Sequence, residues 1–183
     1  DMPNAYDTHC PIVPVREDSI NFVGAKYPNR EETLQALVAA GLPVRAYGRA
    51  WSRHPYDILR TKQFKDSGVP AGRDVDRSEA YGIMASSPAT LNIHNNQDGF
   101  TMRTFEAPGV GALQVIDRAD VDRYYIPGEE VLVYESIDEL IEICTRIFRE
   151  PKWARQIREA GQKRTLAEHT FDQRVKILEQ LWA

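Results

Sequence analysis

Short apolar runs alternate with amphipathic segments along most of this sequence, and this alternation constrains the fold more than any other feature. Runs of this length and composition suit strands that are buried on both faces. Strands are predicted at 19–24, 43–47, 89–94, 111–116 and 130–134, and helices at 29–41 (Asn29 as N-cap), 56–64, 76–86, 99–108, 137–149, 151–168 and after Thr170. Strand–helix–strand order implies right-handed crossovers between parallel strands. The sequence therefore predicts an α/β fold, a three-layer α/β/α sandwich with a mainly parallel sheet.

The length of 183 residues, with 42% hydrophobic and 27% charged residues, suits one globular domain and argues against disorder. The net charge of −4 argues against general electrostatic binding to nucleic acid, and no apolar run is long enough to span a bilayer. Residues 1–18 contain three prolines and show no periodicity, so they are predicted to be a linker or interdomain segment. Residues 19–183 are predicted to form the domain, with a helical tail at 151–183.

The two cysteines, Cys10 and Cys144, are far apart in sequence and form no CxxC motif. Both are therefore predicted to be free thiols, and Cys144 lies on the apolar stripe of a predicted helix. The histidines outside the predicted strands show no metal-ligand spacing with one another or with cysteine, so no metal site is predicted.

Ligands of parallel α/β sheets bind at the carboxyl ends of the strands, so the residues that follow each predicted strand are the candidates for a site. Gly24 ends the first strand, and Lys26 and Arg30 follow it beside the start of a helix. A glycine lets the backbone approach a ligand closely, and cations beside free backbone amides suit a phosphate group. The alternative is a glycine turn followed by two solvated cations.

The segment after the 89–94 strand carries two carboxylates, Asp98 and Glu106, with seven residues between them. Gly99 allows the backbone to turn into a helix, which would present the amides of residues 100–102 to a diphosphate. With a helix that starts near Asp98, Glu106 lies about two turns into it. A buried carboxylate at that place could accept hydrogen bonds from two vicinal ribose hydroxyls.

Two neighbouring side chains leave alternatives open. Arg103 would either add positive charge to the site or form a salt bridge with Glu106 or Asp98 that is merely structural. His94, at the end of the strand, could form a hydrogen bond with a ligand or have a structural role within the fold.

The segment Asp98-Gly-Phe-Thr-Met-Arg-Thr-Phe-Glu106-Ala resembles the acidic-x7-acidic motif of group 1 glycosyltransferases with the GT-B fold. The small-residue turn and strand that follow it, Phe-Val-Gly24 with its downstream cations, and Tyr47-Gly-Arg-Ala-Trp51 match the same pattern in order and spacing. So do Gly128-Glu-Glu-Val-Leu-Val-Tyr134 and Glu168-His-Thr-Phe-Asp-Gln-Arg174. The whole set covers residues 19–182 and is most similar to the spore-maturation CgeB-like branch of that family.

This resemblance implies the C-terminal, donor-binding domain of such an enzyme, which is the Rossmann-like half of a GT-B fold. Glu106 would bind the ribose of a nucleotide sugar and Asp98 would lie near the transferred sugar, so these two are the candidate catalytic residues. The amides of residues 101 and 102 would meet the diphosphate, and residues 47–49 would build the nucleobase pocket. The candidate nucleotide-sugar residues are Gly24, Lys26, Arg30, Tyr47, Gly48, Arg49, His94, Gly99, Phe100, Thr101, Met102, Arg103 and Glu106.

The resemblance also implies metal-independent and retaining transfer from a nucleotide diphosphate sugar, with no further cofactor. It implies that an N-terminal acceptor-binding domain is missing from this chain, that the acceptor is unknown, and that the chain catalyses little on its own. A cytoplasmic location is expected, with peripheral attachment to a membrane as an alternative. The sequence departs from the usual motif at Asp98, where relatives have Glu, at Thr101, where they have Gly, and at Ala25, where many have Arg.

Three other kinds of domain are alternatives to a donor-binding domain for a chain with this fold. The first is a non-catalytic nucleotide-binding or protein-interaction domain, because fold does not determine function. The second is a flavodoxin-like or receiver-like domain, which the sequence disfavours because Gly24-Ala-Lys replaces the acids that a receiver needs after its first strand. The third is one half of a sugar-nucleotide epimerase, which would release an epimerised sugar without any acceptor.

Overall fold

The computed structural model of this chain describes residues 3–94 and 98–182. Within these residues, six strands form one parallel sheet in the order β3-β2-β1-β4-β5-β6. The strands are β1 (Ile20–Val23), β2 (Val44–Tyr47), β3 (Ala71–Gly72), β4 (Thr90–Asn92), β5 (Gln114–Ile116) and β6 (Leu132–Val133). The predicted three-layer α/β sandwich with a parallel sheet is confirmed. The strand order reverses between β1 and β4, which places a topological switch point at the centre of the sheet.

Helices cover both faces of the sheet. They are α1 (Pro28–Ala39), α2 (Pro55–Thr61), α3 (Arg77–Ser86), α4 (Arg103–Gly109), a 3-10 helix (Ala119–Arg123), α5 (Ile137–Arg149), α6 (Pro151–Glu168) and α7 (Phe171–Trp182). One core contains Leu34 and Leu37 of α1 and Leu140 of α5, packed with apolar residues of β1, β2, β4 and β5. The other core contains Met84 of α3 and Phe105 of α4. These two cores are the apolar layers between the sheet and its helices.

Two helix starts differ from their predicted form. Asn29 was expected to cap α1, but the helix begins at Pro28, because proline at the first helical position needs no N–H and already has a helical φ. For α5, Ser136 followed three residues later by Glu139 predicts a capping box. Ser136 does cap α5, with its side chain accepting from the Glu139 amide at 3.2 Å. The Glu139 carboxylate, however, accepts from the amide of Glu135 at 2.8 Å, one residue before the cap.

The segment before β1 lies against the domain. The backbone of Tyr6 donates to His169 at 2.8 Å and accepts from Phe171 at 3.0 Å, so it pairs with the start of α7. Two glycines make room for this segment. A Cβ at Gly109 would lie 2.3 Å from the Tyr6 ring, and a Cβ at Gly82 would lie 1.7 Å from the Val13 carbonyl oxygen. The role of residues 1–18 as a link to another domain stays a prediction.

The two thiols should differ sharply in reactivity. Both cysteines are free, as predicted, but Cys144 is fully buried and burial raises its thiol pKa to about 12, while Cys10 is partly exposed. Because the thiolate is the reactive form, a chromogenic disulfide reagent near pH 8 should modify Cys10 alone in the native chain and both cysteines after unfolding in guanidinium. Cys10→Ser should abolish the native reaction. Fast reaction of two thiols in the native chain would contradict the burial of Cys144.

Candidate functional site

Two adjoining cavities open at the carboxyl ends of β1, β2 and β4, beside the switch point of the sheet. Their volumes are about 330 Å³ and 260 Å³, and they share the walls formed by Val23, Gly24, Ala25 and Arg103. We call them together the switch-point groove. This is the edge at which a parallel sheet of this topology binds its ligands.

Close contact between the ends of β1 and β2 forms the floor of the larger cavity. Gly48 has φ +149°, and a Cβ there would lie 2.6 Å from the carbonyl oxygen of Gly24. The indole Nε1 of Trp51 donates to that same oxygen at 3.0 Å. A side chain at position 48 would therefore separate the two strand ends, which explains why glycine occupies this position.

Arg30 is buried, and its guanidinium holds the ends of β1 and β4 together. Nε and Nη2 donate to the carbonyl oxygen of Ile93 at 2.9 and 2.6 Å, and Nη1 donates to that of Ala25 at 3.1 Å. The rings of Tyr27 and Phe22 stack on it at 4.9 and 5.3 Å. Burial lowers the pKa of Arg30 from its usual value. Arg30 lines the smaller cavity, but its N–H groups donate to backbone carbonyl oxygens.

Lys26, the second predicted cation, is paired within the domain. Its Nζ lies 2.9 Å from the carboxylate of Glu31, and only 8% of its side chain is exposed. The ammonium also lies 5.5 Å from the centre of the Trp51 ring, within the range of a cation–π contact. Neither Lys26 nor Arg30 is a solvated cation in the structure.

Tyr47, Gly48 and Arg49, the predicted nucleobase residues, line the larger cavity. The hydroxyl of Tyr47 donates to the carboxylate of Glu17, in the segment before β1. Burial, together with this hydrogen bond, raises the pKa of Tyr47 to about 12. Arg49 forms an exposed ion pair with Asp74 at 2.8 Å, at the rim of the same cavity.

Helix α4 begins four residues later than predicted. A helix from residue 99 would need the carbonyl oxygens of Gly99 and Phe100 to accept from amides further along the chain. They accept instead from Nη1 of Arg118 and Nδ2 of Asn4, at 2.9 Å in each case. Residues 98–102 therefore form a loop before α4, and Glu106 lies in the first turn of the helix rather than two turns into it.

Glu106 is 3% exposed and has three polar partners. Its Oε2 accepts from Nη1 of Arg103 at 2.7 Å, and its Oε1 accepts from the hydroxyl of Tyr81 at 3.3 Å. Nε of Arg77 lies 3.6 Å from the same Oε1. Burial and the neighbouring carboxylate raise the pKa of Tyr81, so its hydroxyl stays protonated and donates. The predicted pairing of Arg103 with Glu106 is present, and Arg103 also lines both parts of the groove.

The residues of the loop before α4 line two different cavities. Thr101 lines the smaller cavity of the groove, whereas Gly99 and Phe100 line a separate cavity of about 390 Å³ beside the N-terminal segment. Arg118 lies 4.5 Å from the centre of the Phe100 ring. Met102 approaches Arg77 through its sulfur at 3.9 Å, and Asp98 is exposed on the loop.

His94 is fully buried and is held by a residue that the sequence did not single out. Its backbone N–H donates to the carboxylate of Asp117 at 2.9 Å, and its Nδ1 lies 3.3 Å from an oxygen of that carboxylate. The stretch that contains Asp117 looks like a solvated turn in sequence. The only signal for its role is its place directly after a buried strand, at the same edge of the sheet.

The described residues contain neither a metal-binding cluster nor a membrane-spanning helix. No group of three or more His, Cys, Asp and Glu side chains there has the geometry to hold a metal ion. No helix within 3–94 and 98–182 combines the length and the apolar character needed to cross a bilayer.

Solved structures of glycosyltransferases share this fold. Sucrose-phosphate synthase from Thermosynechococcus elongatus is 17% identical with a TM-score of 0.69, over 98% of this chain and 52% of that one. HepE from Anabaena, in complex with UDP-glucose, is 14% identical with a TM-score of 0.66, over 90% and 48%. The T4 phage enzyme BGT, in complex with its UDP-glucose substrate, is 12% identical with a TM-score of 0.61, over 86% and 46%. The chain thus spans about half the length of these proteins.

These likenesses identify the fold as the Rossmann-like α/β fold of one half of a GT-B glycosyltransferase. A search of curated proteins found no match. A family model described as glycosyl transferase-like matches residues 30–180, which is most of the chain. The chain therefore belongs to the glycosyl transferase-like family.

Proposed function

We propose that this chain is the C-terminal, donor-binding half of a glycosyltransferase and binds a nucleotide diphosphate sugar in the switch-point groove. The observation that carries this proposal is Glu106, a buried carboxylate at the first turn of α4, held next to Arg103 on the groove wall. The family match and the UDP-glucose complexes of HepE and T4 BGT support the class of ligand.

The ribose would bind at Glu106. Each carboxylate oxygen has two lone pairs, so the side chain can accept from two vicinal hydroxyls while it keeps one of its arginine contacts. Arg103 is 29% exposed, so its guanidinium can turn from Glu106 towards the groove when the ribose arrives. There it would pair with the diphosphate, and its fork of N–H groups matches phosphate oxygens. The base would then lie in the larger cavity, beside Tyr47, Gly48 and Arg49.

The diphosphate would lie in the smaller cavity, against Gly24, Arg30 and Thr101. Arg30 and Lys26 already have partners, so we assign them a supporting role: they raise the local potential and hold the strand ends in place. The amide of Met102 and the hydroxyl of Thr101 would approach the phosphate oxygens, because the Thr101 amide already donates to Nε2 of His94. As the glycosidic bond breaks, negative charge develops on the leaving nucleoside diphosphate, and fixed cations and amides stabilise that transition state.

The remaining parts of the reaction follow from the resemblance. Asp98, exposed on the loop, would lie near the transferred sugar, and transfer would be metal-independent and retaining, as in group 1 and its CgeB-like branch. The chain spans about half of the glycosyltransferases that share its fold, so we assign the acceptor site to a further, N-terminal domain joined through residues 1–18. Closure of two such domains would exclude water and limit hydrolysis of the donor. The chain alone would bind the donor and catalyse little, in the cytoplasm or at the surface of a membrane.

Calorimetric titration of the chain with UDP, GDP, ADP and dTDP tests the proposal. One nucleotide should bind saturably, with a dissociation constant between about 10 μM and 1 mM, and a matching monophosphate should bind more weakly because it lacks the second phosphate. Saturating ligand should also raise the melting temperature, since it binds the folded state only. Equal binding of mono- and diphosphates would contradict the diphosphate site. The absence of any nucleotide binding at millimolar concentration would instead favour a protein-interaction domain.

A further inference from the structure

His94 connects the end of β5 to the loop before α4. On one side, its Nδ1 lies 3.3 Å from Oδ1 of Asp117, and its backbone N–H donates to both oxygens of that carboxylate at 2.9 Å. On the other side, its Nε2 lies 3.4 Å from the amide nitrogen of Thr101 and 3.3 Å from Oγ1 of Thr104. The imidazole is fully buried, so these contacts are shielded from water.

The chemistry of these partners determines which ring nitrogen carries the proton. A carboxylate can only accept, so Nδ1 of His94 must be the donor towards Asp117. A backbone amide can only donate, so Nε2 must accept from Thr101. The neutral Nδ1–H tautomer satisfies both contacts, whereas the Nε2–H tautomer would place two donors opposite each other at Thr101.

Thr101 links His94 to the switch-point groove. It lines the smaller cavity, and its hydroxyl oxygen is buried and has no hydrogen-bond partner among the described residues. Unpartnered buried hydroxyls are uncommon in folded proteins. A phosphate oxygen in the cavity would give this hydroxyl an acceptor, provided that the loop holds Thr101 in its present place.

We propose that Asp117 and His94 are positioning residues for the diphosphate of the ligand. Asp117 holds the imidazole in the Nδ1–H tautomer, and Nε2 of His94 then holds the Thr101 amide and the loop around it. This inference rests on the proposed function, because it takes the smaller cavity as the diphosphate site. Neither positioning side chain lines the groove, so both act through Thr101.

The substitution Asp117→Asn tests the tautomer directly. With its oxygen in the place of Oδ2, the Asn side chain still accepts from the His94 backbone N–H, and its NH2 group, in the place of Oδ1, faces Nδ1 and favours the Nε2–H tautomer. We expect ring ¹⁵N shifts, assigned to His94 by their absence in His94→Gln, to show Nδ1–H in the parent chain and Nε2–H in Asp117→Asn. Affinity for the nucleotide that binds the parent chain should fall about tenfold, the size of one hydrogen bond near a charged group. The charge-matched control Asp122→Asn, at an exposed position, should change neither the tautomer of His94 nor the nucleotide affinity.

A double-mutant cycle separates positioning from a general structural effect. Gln at position 94 offers an oxygen to the Thr101 amide and has no tautomers, so Asp117→Asn should weaken binding of the same nucleotide by less than about twofold in the His94→Gln background. Equal weakening in both backgrounds, or an unchanged tautomer in Asp117→Asn, would overturn the inference.

Two further outcomes are also decisive. If Asp117→Asn does not fold, His94→Gln should still bind the same nucleotide at least about fivefold more tightly than His94→Leu, which offers no acceptor to Thr101; equal affinities would overturn the inference. If the parent chain binds none of the four nucleotides, the proposed function fails. The tautomer in Asp117→Asn then decides by itself whether Asp117 controls His94.

Discussion

Glu106→Ala should lower the affinity for the nucleotide that binds the parent chain by about 100-fold. The reason is the loss of two hydrogen bonds from ribose hydroxyls to a buried, charged acceptor, each contributing about 1.5 kcal/mol. Glu106→Gln, which keeps the volume and one oxygen acceptor, should fall between the parent chain and Glu106→Ala. Calorimetric titration of the three proteins with the same nucleotide measures the series.

The fold must survive for this result to be informative. Removal of the carboxylate takes a partner from Arg103, Arg77 and Tyr81. The two arginine side chains are 29% and 46% exposed and can turn to water. The buried Tyr81 hydroxyl loses its acceptor, at a cost of about 1–3 kcal/mol in stability. A matched control is Glu130→Gln, which breaks a partly buried ion pair with Arg164 at 3.0 Å, away from the groove. It should leave nucleotide affinity unchanged. A folded Glu106→Ala chain that binds nucleotide as tightly as the parent would contradict the proposed ribose site.

Gly161→Ala should lower the free energy of unfolding by about 2 kcal/mol. Helix propensity alone would raise it. Alanine in the middle of a helix is favoured over glycine by about 1 kcal/mol. Gly161, however, lies within α6 where a Cβ would come 2.3 Å from the carbonyl oxygen of Glu130. Helix α6 would have to move away from that backbone, an overpacking effect of known size. Urea unfolding followed by circular dichroism measures the free energy, and the melting temperature should fall by about 4–8 °C.

The control for this prediction lies on the same helix. Gln156 is exposed on α6, so Gln156→Ala should leave the free energy of unfolding unchanged within about 0.5 kcal/mol. A Gly161→Ala chain more stable than the parent would show that the approach of α6 to Glu130 is looser than in the structure.

The order of helices and strands was largely predictable because it depends on local patterns. Strands β1, β2, β4, β5 and β6 lie within the predicted apolar runs, and α5 and α6 have their predicted bounds. Strand β3 was missed because its two residues lie in a polar, glycine- and proline-containing stretch. It is a strand only because Ala71 and Gly72 pair with β2.

Part of the candidate site was also predictable, because β–α order brings the strand ends together. Gly24, Gly48, Arg103 and residues near them do meet at one groove. The hydrogen-bond partners of Arg30 and Tyr47 were not predictable from the sequence. The carbonyl that Arg30 binds lies 63 residues away along the chain, and the Tyr47 hydroxyl binds Glu17 in a segment that reads as a linker.

The sequence by itself determined the α/β class, the parallel sheet and the sheet edge at which the switch-point groove opens, because apolar periodicity and glycine positions act over a few residues. Only the tertiary structure decided that α4 begins at Arg103, that Arg30 ties two strand ends together, and that Asp117 holds His94. Each of these depends on a polar group that, once buried, must find a hydrogen-bond partner, and the available partner is set by packing between distant segments.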